Sequence, residues 1–357
     1  IVVLLSCGSV VDLSFDKDCD ALLFCSLSGQ AGCNSVLDIL EGKVNPSGKL
    51  SETYPYKYDD VPNAKDFPSE EVNAFYKESI YVGYRYFEKA NVPVKYPFGF
   101  GLSYTKFAFE DVKVDENGVT LTVKNIGDLP GKEVVQLYIG KKDSKIFRAV
   151  KELKGFAKTK LLAPSESEQI TIPFDEYSFR YFNVKTNRFE IEDGAYEIYL
   201  GNSSKDIFFE GNINKKGTDA PLPYEGKNLE KYNTCDVKNI TDEEFKELYG
   251  SDFPKGNLYW TNKKHTRIAL NLNNLFCDLK YARGWTGRLT YHVLHGLISF
   301  GNKHNKGLKN MIVMGPYSFP LRSVSRMMGM PMEQAKALML MFDGHFHKGF
   351  YGFLAAG

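Results

Sequence analysis

The sequence predicts a multidomain protein that combines an α/β part, an all-β part and a helical C-terminal tail. Short apolar runs and one helical pattern alternate over the first 60 residues. Short segments rich in Val, Ile, Tyr and Phe follow between regularly spaced turns, and helical spacing returns after a polar linker. The 357 residues are enough for two or three domains.

The first segment, residues 1–60, has the pattern of part of an α/β domain. Ile1–Leu5 and Ala21–Ser26 are apolar strands, and "AGCNSVLDILEG" has the spacing of a helix that stops at Gly42. Two apolar strands with helical or irregular crossings are typical of a parallel sheet. Because the chain starts directly in the apolar run "IVVLL", without Met, we expect it to be a fragment.

Residues 107–213 have the pattern of an antiparallel β-sandwich of the immunoglobulin or fibronectin type III kind. Segments such as "VTLTVKN", "KEVVQLYIG" and "GAYEIYLG" are separated by turns such as "DENG" and "IEDG". Strand alternation predicts one buried set of side chains, with Gln136 and Tyr138 on the opposite face. The predicted buried set is Leu121, Val123, Val135, Leu137 and Ile139.

Two further segments complete the predicted organisation. Residues 61–106 are rich in aromatic residues and glycine and form an interdomain strap. Residues 214–357 form a polar linker and a helical tail, in which Thr241 and Glu244 predict a helix start. We expect the strap's aromatic rings to fill a domain seam rather than stack on sugars. These rings belong to Tyr81, Tyr84, Tyr86, Phe87, Tyr96, Phe98 and Tyr104.

Composition narrows the classes of partner and compartment. The formal charge is +1, and such a balance argues against nucleic acid and against an anionic membrane surface. The six cysteines form no CxxC pair, and we interpret the four near the N-terminus as small buried residues of a reducing compartment, which predicts a cytoplasmic location. The histidines of the tail have no Asp, Glu or Cys at a spacing that would complete a metal site, so neither a metal nor another cofactor is expected.

Three stretches of the sequence, taken together and in this order, carry a resemblance to a known family. The first runs from "VVLLSCGSVVDLSF" to "VNPSGKLSETYP", the second is "ESIYVGYRYFEK" with "YPFGFGLSYTKF", and the third is "NIGDLPGKEVVQLYI" with "VKELKGFAKTKLLAPSESEQITI". They resemble the C-terminal half of glycoside hydrolase family 3, the β-glucosidase and β-xylosidase family: the end of its α/β-sandwich domain, its linker and its fibronectin type III-like domain. The resemblance covers about residues 1–213, and a weaker one extends into the tail.

The resemblance implies that the catalytic residues lie outside this chain. Retaining glycosidases need a nucleophile and an acid/base carboxyl about 5–5.5 Å apart. In the family the nucleophile lies on a preceding barrel and the acid/base lies upstream of the strand at Ile1–Leu5. The resemblance therefore implies an exo-acting β-glucosidase that cleaves O-glycosidic bonds of a glycoside or oligosaccharide, with a missing N-terminal barrel and an inactive isolated chain.

One residue is expected near the substrate. The loop "SLSGQAGCN" follows a predicted strand and opens a helix, the position where open α/β sheets bind ligands. Ala31 stands where the family usually has glutamate and Cys33 where it usually has glycine, which leaves Gln30 as the substrate-proximal residue. The alternative for this loop is a helix entry that only packs against the barrel.

Two other hypotheses stay open at this point. The chain could be a non-catalytic carbohydrate-binding or scaffolding module built on the β-sandwich. A free-standing module of that kind would not retain half an α/β domain with the strap attached. The sequence is silent on a permuted enzyme whose barrel follows the tail.

Overall fold

The structure, a computed structural model, describes residues 1–66, 74–253, 267–327 and 329–356. These residues form two units, the first made of residues 1–66 and 75–253 and the second made of Ala74 and the residues from Arg267 onward. The first unit contains the strands, and the described part of the second is built mainly from helices. The boundaries drawn from the sequence at residues 60, 106 and 213 stay predictions.

The first unit opens with a parallel pair of strands and a helix, as the sequence predicts. Strand β1 (Val2–Leu5) pairs with β2 (Ala21–Phe24), with Val2 opposite Ala21. Helix α1 (Gly32–Leu40) follows, and Gly42 adopts φ +73°, a left-handed conformation that glycine accepts readily. One helix and two strands cover little surface, so Val2 and Leu4 are about half exposed.

The expectation of buried cysteines near the N-terminus is wrong. Cys33 is exposed, and Cys7, Cys19 and Cys25 are partly exposed. The physical reason is the same shortage of covering elements around β1 and β2. Cys235, in the C-terminal part of the first unit, is buried.

The predicted β-sandwich is confirmed. Its strands are β5 (Phe107–Val114), β6 (Gly118–Asn125), β7 (Val134–Gly140), β8 (Glu152–Lys158), β9 (Ser167–Pro173), β10 (Arg180–Asn183), β11 (Arg188–Ile191), β12 (Gly194–Gly201) and β13 (Ile207–Lys215). They form two antiparallel sheets in the strand orders β13-β12-β7-β8 and β5-β6-β9, and a separate hairpin of β10 and β11.

The predicted strand register is also confirmed. All five predicted core residues are buried between the two sheets, where they join residues of β9 and β12 in one apolar cluster. The opposite face of β7 is buried as well, since Gln136 is only 3% exposed and Tyr138 is 0% exposed. Alternation therefore assigned the faces correctly, and the second face is covered by the strap.

The strap is hydrogen-bonded to β7 at the Gln136 side chain. The Gln136 amide donates to the carbonyl oxygens of Gly99 (3.0 Å) and Asn202 (2.7 Å), and its oxygen accepts from the Tyr138 hydroxyl at 2.6 Å. Nearby, the Ser204 N–H donates to the Phe98 carbonyl at 2.9 Å. The amide nitrogen and the amide oxygen of Gln136 both have hydrogen-bond partners, which accounts for its burial.

The strap itself holds short elements, and most of its aromatic rings fill the seam as predicted. Tyr81, Tyr86 and Phe87 are buried. Tyr104 is different, because its hydroxyl donates to the Ile39 carbonyl at 3.0 Å and the residue is 48% exposed. The regular elements around the strap are β3 (Tyr54–Pro55), α2 (Tyr84–Lys89) and β4 (Val94–Tyr96).

The strap also packs against residues that follow the sandwich. The Tyr81 hydroxyl donates to the Tyr232 carbonyl at 2.5 Å, and the Tyr232 hydroxyl donates to the Lys77 carbonyl at 3.0 Å. The helices here are α3 (Glu230–Thr234) and α4 (Asp242–Tyr249). Helix α4 starts with the predicted capping box between Thr241 and Glu244. Residues 229–249 therefore belong to the first unit.

The second unit consists of helices around a small apolar cluster. Leu279, Ala282, Tyr291 and Phe342 are buried in it. The helices are α5 (Trp285–His304), α6 (Lys306–Ile312), α7 (Ser323–Met327), α8 (Met332–Phe342) and α9 (Phe346–Ala355). Within the described ranges, none of the helices combines the length and apolarity that a bilayer span requires.

Replacing Gly99 by alanine tests the contact between strap and sandwich. Gly99 has φ +80°, and an added Cβ would lie 2.0 Å from the Gln136 side-chain oxygen. We expect Gly99→Ala to lower the free energy of unfolding by about 2 kcal/mol or more, measured by urea denaturation of the full chain. Gly48→Ala is the matched control, because a Cβ added there would have no neighbour within 4 Å among the described residues. Equal stability of the two variants would contradict this account of the seam.

Candidate functional site

The candidate site lies at the carboxyl ends of the parallel strands β1 and β2. Because β1 and β2 run in the same direction, the segments after Leu5 and after Phe24 leave the sheet on the same side. The Ser6 hydroxyl donates to the Ser26 carbonyl at 3.4 Å, which joins the two segments. This is the position at which open α/β sheets bind ligands.

The loop after β2 is a tight turn that leads into α1. Ser26 and Gly29 both adopt left-handed conformations, with φ of +53° and +70°. Gly32 begins α1 and packs so closely that an added Cβ would lie 2.0 Å from the Ser28 hydroxyl oxygen. The turn therefore depends on glycine where it meets the helix.

Gln30 lies on this turn, where the sequence placed it, and is exposed to solvent. Leu27, on the same turn, is 74% exposed. The exposed amide of Gln30 and the exposed hydroxyl of Ser28 are neutral hydrogen-bonding groups. Such groups suit a neutral polar ligand.

The same edge has little capacity for acid–base chemistry. Residues 6–11 and 25–34 contain neither a carboxylate nor a histidine. The first carboxylate after β1 is Asp12, which accepts a hydrogen bond from the Ser14 N–H at 2.7 Å. That bond lowers the pKa of Asp12, so its carboxyl group is held in the ionised form and is unsuited to donate a proton.

A separate cavity of about 570 Å³ lies beside the strands and has a mainly apolar lining. Asp16 and Lys95 form an ion pair at 2.7 Å on its wall, and the Tyr96 hydroxyl donates to Asp16 at 3.0 Å. The Tyr54 hydroxyl is buried and has no hydrogen-bond partner within the described part of the chain. Burial raises the pKa of Tyr54 to about 12. This lining suits apolar packing better than a sugar, which needs many hydrogen bonds.

The sequence reasoning missed the residue that positions this region. The Asn45 amide donates to the Pro130 carbonyl at 3.1 Å, and its oxygen accepts from the Ser103 hydroxyl at 3.0 Å and the Tyr104 N–H at 2.9 Å. One side chain thereby joins the turn after α1, the strap and a sandwich loop. Its place directly before "PSG" marked a turn, but a turn residue gives no indication of partners 58 to 85 residues away.

The fold and this edge define the class of protein: a multidomain α/β and β-sandwich protein with a polar, carboxylate-free loop at the sheet edge. Residues 1–104 match the glycosyl hydrolase family 3 C-terminal domain, and residues 133–204 match the fibronectin type III-like domain. The chain therefore carries the C-terminal domain of glycoside hydrolase family 3 followed by a fibronectin type III-like domain.

Curated relatives agree with this family. The chain is 39% identical over 226 residues to the thermostable β-glucosidase B of Acetivibrio thermocellus, a match that covers 61% of this chain and 30% of the relative. It is 39% identical over 213 residues to an exo-α-(1→6)-L-arabinopyranosidase of Bifidobacterium longum, with 58% and 28% covered. The matched region thus spans under a third of these relatives.

Solved structures agree as well. A glycoside hydrolase family 3 β-glucosidase of Bifidobacterium adolescentis matches with a TM-score of 0.58 and 38% identity, over 66% of this chain and 36% of that one. The β-glucosidase 3B of Thermotoga neapolitana, solved in complex with α-D-glucose, matches with a TM-score of 0.56 and 39% identity, over 60% and 31%.

Two tyrosine variants test the description of the cavity. Tyr54→Phe removes a buried hydroxyl that has no partner among the described residues, so we expect the free energy of unfolding to stay unchanged or rise by up to about 1 kcal/mol. Tyr96→Phe, the matched control, removes the hydrogen bond to the Asp16 carboxylate and should lower it by about 1–2 kcal/mol. Thermal and urea unfolding of both proteins measure the difference. A loss of stability in Tyr54→Phe equal to that in Tyr96→Phe would show that the Tyr54 hydroxyl is bonded.

Proposed function

We propose that this chain is the C-terminal part of an exo-acting β-glucosidase that cleaves O-glycosidic bonds by a retaining two-carboxylate mechanism. The observation that carries the proposal is the family match over the α/β segment and the sandwich, together with relatives that are β-glucosidases. In this proposal both catalytic carboxylates come from outside the chain, from the remaining two thirds of the length that such relatives have.

The side chains at the candidate edge support the proposal that the catalytic carboxylates come from outside the chain. A retaining glycosidase needs two carboxyl groups about 5–5.5 Å apart, one as nucleophile and one as acid/base. The loops after β1 and β2 offer amide and hydroxyl groups instead, and Asp12 stays ionised. Such an edge binds and orients a sugar but does not cleave its glycosidic bond.

The apolar surface of the α/β segment supports a missing N-terminal partner. Ile1, Val2, Leu4 and Leu37 are each about half exposed or more, and the apolar cavity lies beside them. Burial of a large aliphatic side chain contributes about 1.5–3 kcal/mol, so a covering domain gains much of its binding energy here. We propose that the rest of the α/β sandwich and a barrel cover this surface.

Gln30 is the residue that we propose to lie near the substrate in the assembled enzyme. It is exposed at the carboxyl edge of the sheet and carries one donor group and one acceptor group. A neutral hydrogen bond of this kind contributes about 0.5–1.5 kcal/mol to binding.

The first experiment measures turnover. The purified chain should show no hydrolysis of an aryl β-glucoside. In this proposal it lacks both the carboxylate that forms the glycosyl-enzyme and the carboxyl group that protonates the leaving group. Fusion of residues 1–213 behind the N-terminal part of the Acetivibrio thermocellus relative should restore turnover. Activity of the chain alone, lost on replacement of one of its own carboxylates, would contradict the proposal.

The second experiment tests Gln30 in that active fusion protein. We expect Gln30→Ala to raise KM for the glucoside by about two- to tenfold, the loss of one neutral hydrogen bond. Gln169→Ala is the matched control, since Gln169 is an exposed glutamine on β9 of the sandwich. If both variants keep the parent KM, Gln30 is only part of a helix-entry loop.

A second candidate function, carbohydrate binding by the sandwich, is favoured by one observation. Tyr177, Phe182 and Phe189 are each about half exposed. Their rings contact one another, with centroids 5.5 Å and 5.4 Å apart. Exposed aromatic rings stack on the C–H faces of sugars. Retardation of the chain in a gel that contains soluble glucan, abolished by Phe189→Ala, would support this function.

A further inference from the structure

Residues 1–253 and residues 267–357 carry opposite net charges, which the near-neutral total conceals. Residues 1–253 contain 31 basic and 41 acidic residues, a net charge of −10. Residues 267–357 contain 11 basic and 3 acidic residues, a net charge of +8. Such asymmetry between two parts of a chain indicates an anionic partner for the basic part.

Most of the positive charge in the second unit is uncompensated. Within the described residues of this unit, the one carboxylate in an ion pair is Glu333, which contacts Lys336 at 2.6 Å. Asp278 is buried and accepts from the Leu275 N–H, and Asp343 accepts from the Leu270 N–H at 2.9 Å. The basic side chains at the surface are therefore free to attract an anionic partner over about a Debye length.

Helix α5 has apolar residues on two sides. Gly287, Tyr291 and Gly301 lie on its buried side. A second set, spaced three or four residues apart, faces solvent along the 20-residue helix. This exposed set is Trp285, Leu289, Val293, Leu297 and Phe300. It contains no charged residue and extends over roughly 25 Å.

Helix α9 continues this surface. The Trp285 and Phe346 rings stack with centroids 6.3 Å apart, and Phe346 in turn stacks with Phe350 at 6.0 Å. Tyr351 and Leu354 of α9 are also exposed. The apolar face therefore runs without interruption from α9 onto α5, and faces of this size mark interaction sites.

Basic residues lie on or directly before the two helices that carry the apolar face. Arg283 and Arg288 flank Trp285 in the sequence, Lys348 lies between Phe346 and Phe350, and Lys303 follows α5's last apolar residue. Trp, Phe and Leu on one face and Lys and Arg among the other residues are typical of helices that lie in the plane of a membrane interface.

We propose that the second unit binds peripherally to anionic membranes through the apolar face of α5 and α9. The basic residues hold the unit at anionic headgroups, and the aromatic and aliphatic side chains insert at the boundary with the acyl chains. No membrane-crossing helix is required for this mode of binding.

A second copy of the chain is the main rival occupant, and charge argues against it. Pairing of two identical faces would bring together two copies of residues 267–357, each with a net charge of +8. Like charges at close range oppose such an interface, whereas an anionic lipid surface matches both the charge and the apolarity.

Vesicle sedimentation of the purified full chain tests the proposal. One set of vesicles is phosphatidylcholine alone, and the other is equal parts phosphatidylcholine and phosphatidylglycerol. We expect partition into the anionic vesicles at least about tenfold stronger than into the neutral ones, and weaker at high salt. Equal, negligible sedimentation with both sets would overturn the proposal.

Variants distinguish vesicle binding through the apolar face from non-specific binding of the chain to vesicles. Leu289→Gln combined with Phe350→Gln should weaken partition by about tenfold or more, since both side chains are about half exposed in the free protein and would enter the interface. The matched control is Leu161→Gln combined with Phe156→Gln, at exposed positions of the sandwich. Equal loss in both double variants would overturn the assignment of the face.

Size-exclusion chromatography with light scattering distinguishes the rival occupant. We expect a monomer for the parent and for both double variants. The contrary result is a parent that is dimeric and does not bind vesicles, with dissociation to monomers only in the double variant Leu289→Gln with Phe350→Gln. That result would show that a second copy occupies the face and would overturn the membrane proposal.

Discussion

The hydrogen bonds of Gln136 are the interaction on which the arrangement of the first unit depends. A polar side chain at the centre of a sheet face is costly to bury unless its amide is fully bonded. Here the carbonyls of Gly99 and Asn202 and the hydroxyl of Tyr138 complete its bonding. The strap turn therefore has one position on β7, and glycine at residue 99 is what allows the backbone to come that close.

Asn45 extends the same constraint toward the candidate site. Its three hydrogen bonds join the turn after α1 to the strap and to the loop at Pro130. The Lys49–Glu133 ion pair, 2.8 Å long and mostly buried, crosses the same seam. Together these contacts orient the α/β segment on the sandwich, so the loop with Gln30 is held by a rigid support although the loop itself is exposed.

The two kinds of domain in the first unit differ in how they bury apolar surface. The sandwich closes a core between its own sheets, with Leu121 and Leu137 fully buried. The α/β segment has two strands and one helix, and a sheet of that size leaves an apolar face open. Under the function proposed above, this open face receives the covering domain, and that domain brings the carboxylates that this edge lacks.

The sequence by itself determined the local structure of this protein. Period-two alternation assigned the faces of β6 and β7, glycine marked the end of α1, and Thr241 with Glu244 marked the start of α4, because each depends on residues close together in the chain. The position of Gln30 after β2 followed in the same way. Only the tertiary structure decided that the second face of β7 is buried, that Tyr104 and Cys33 are exposed, and that Asn45 joins three segments. These features depend on which distant segments meet, and burial and hydrogen bonding between such segments leave no periodic pattern in the residues themselves.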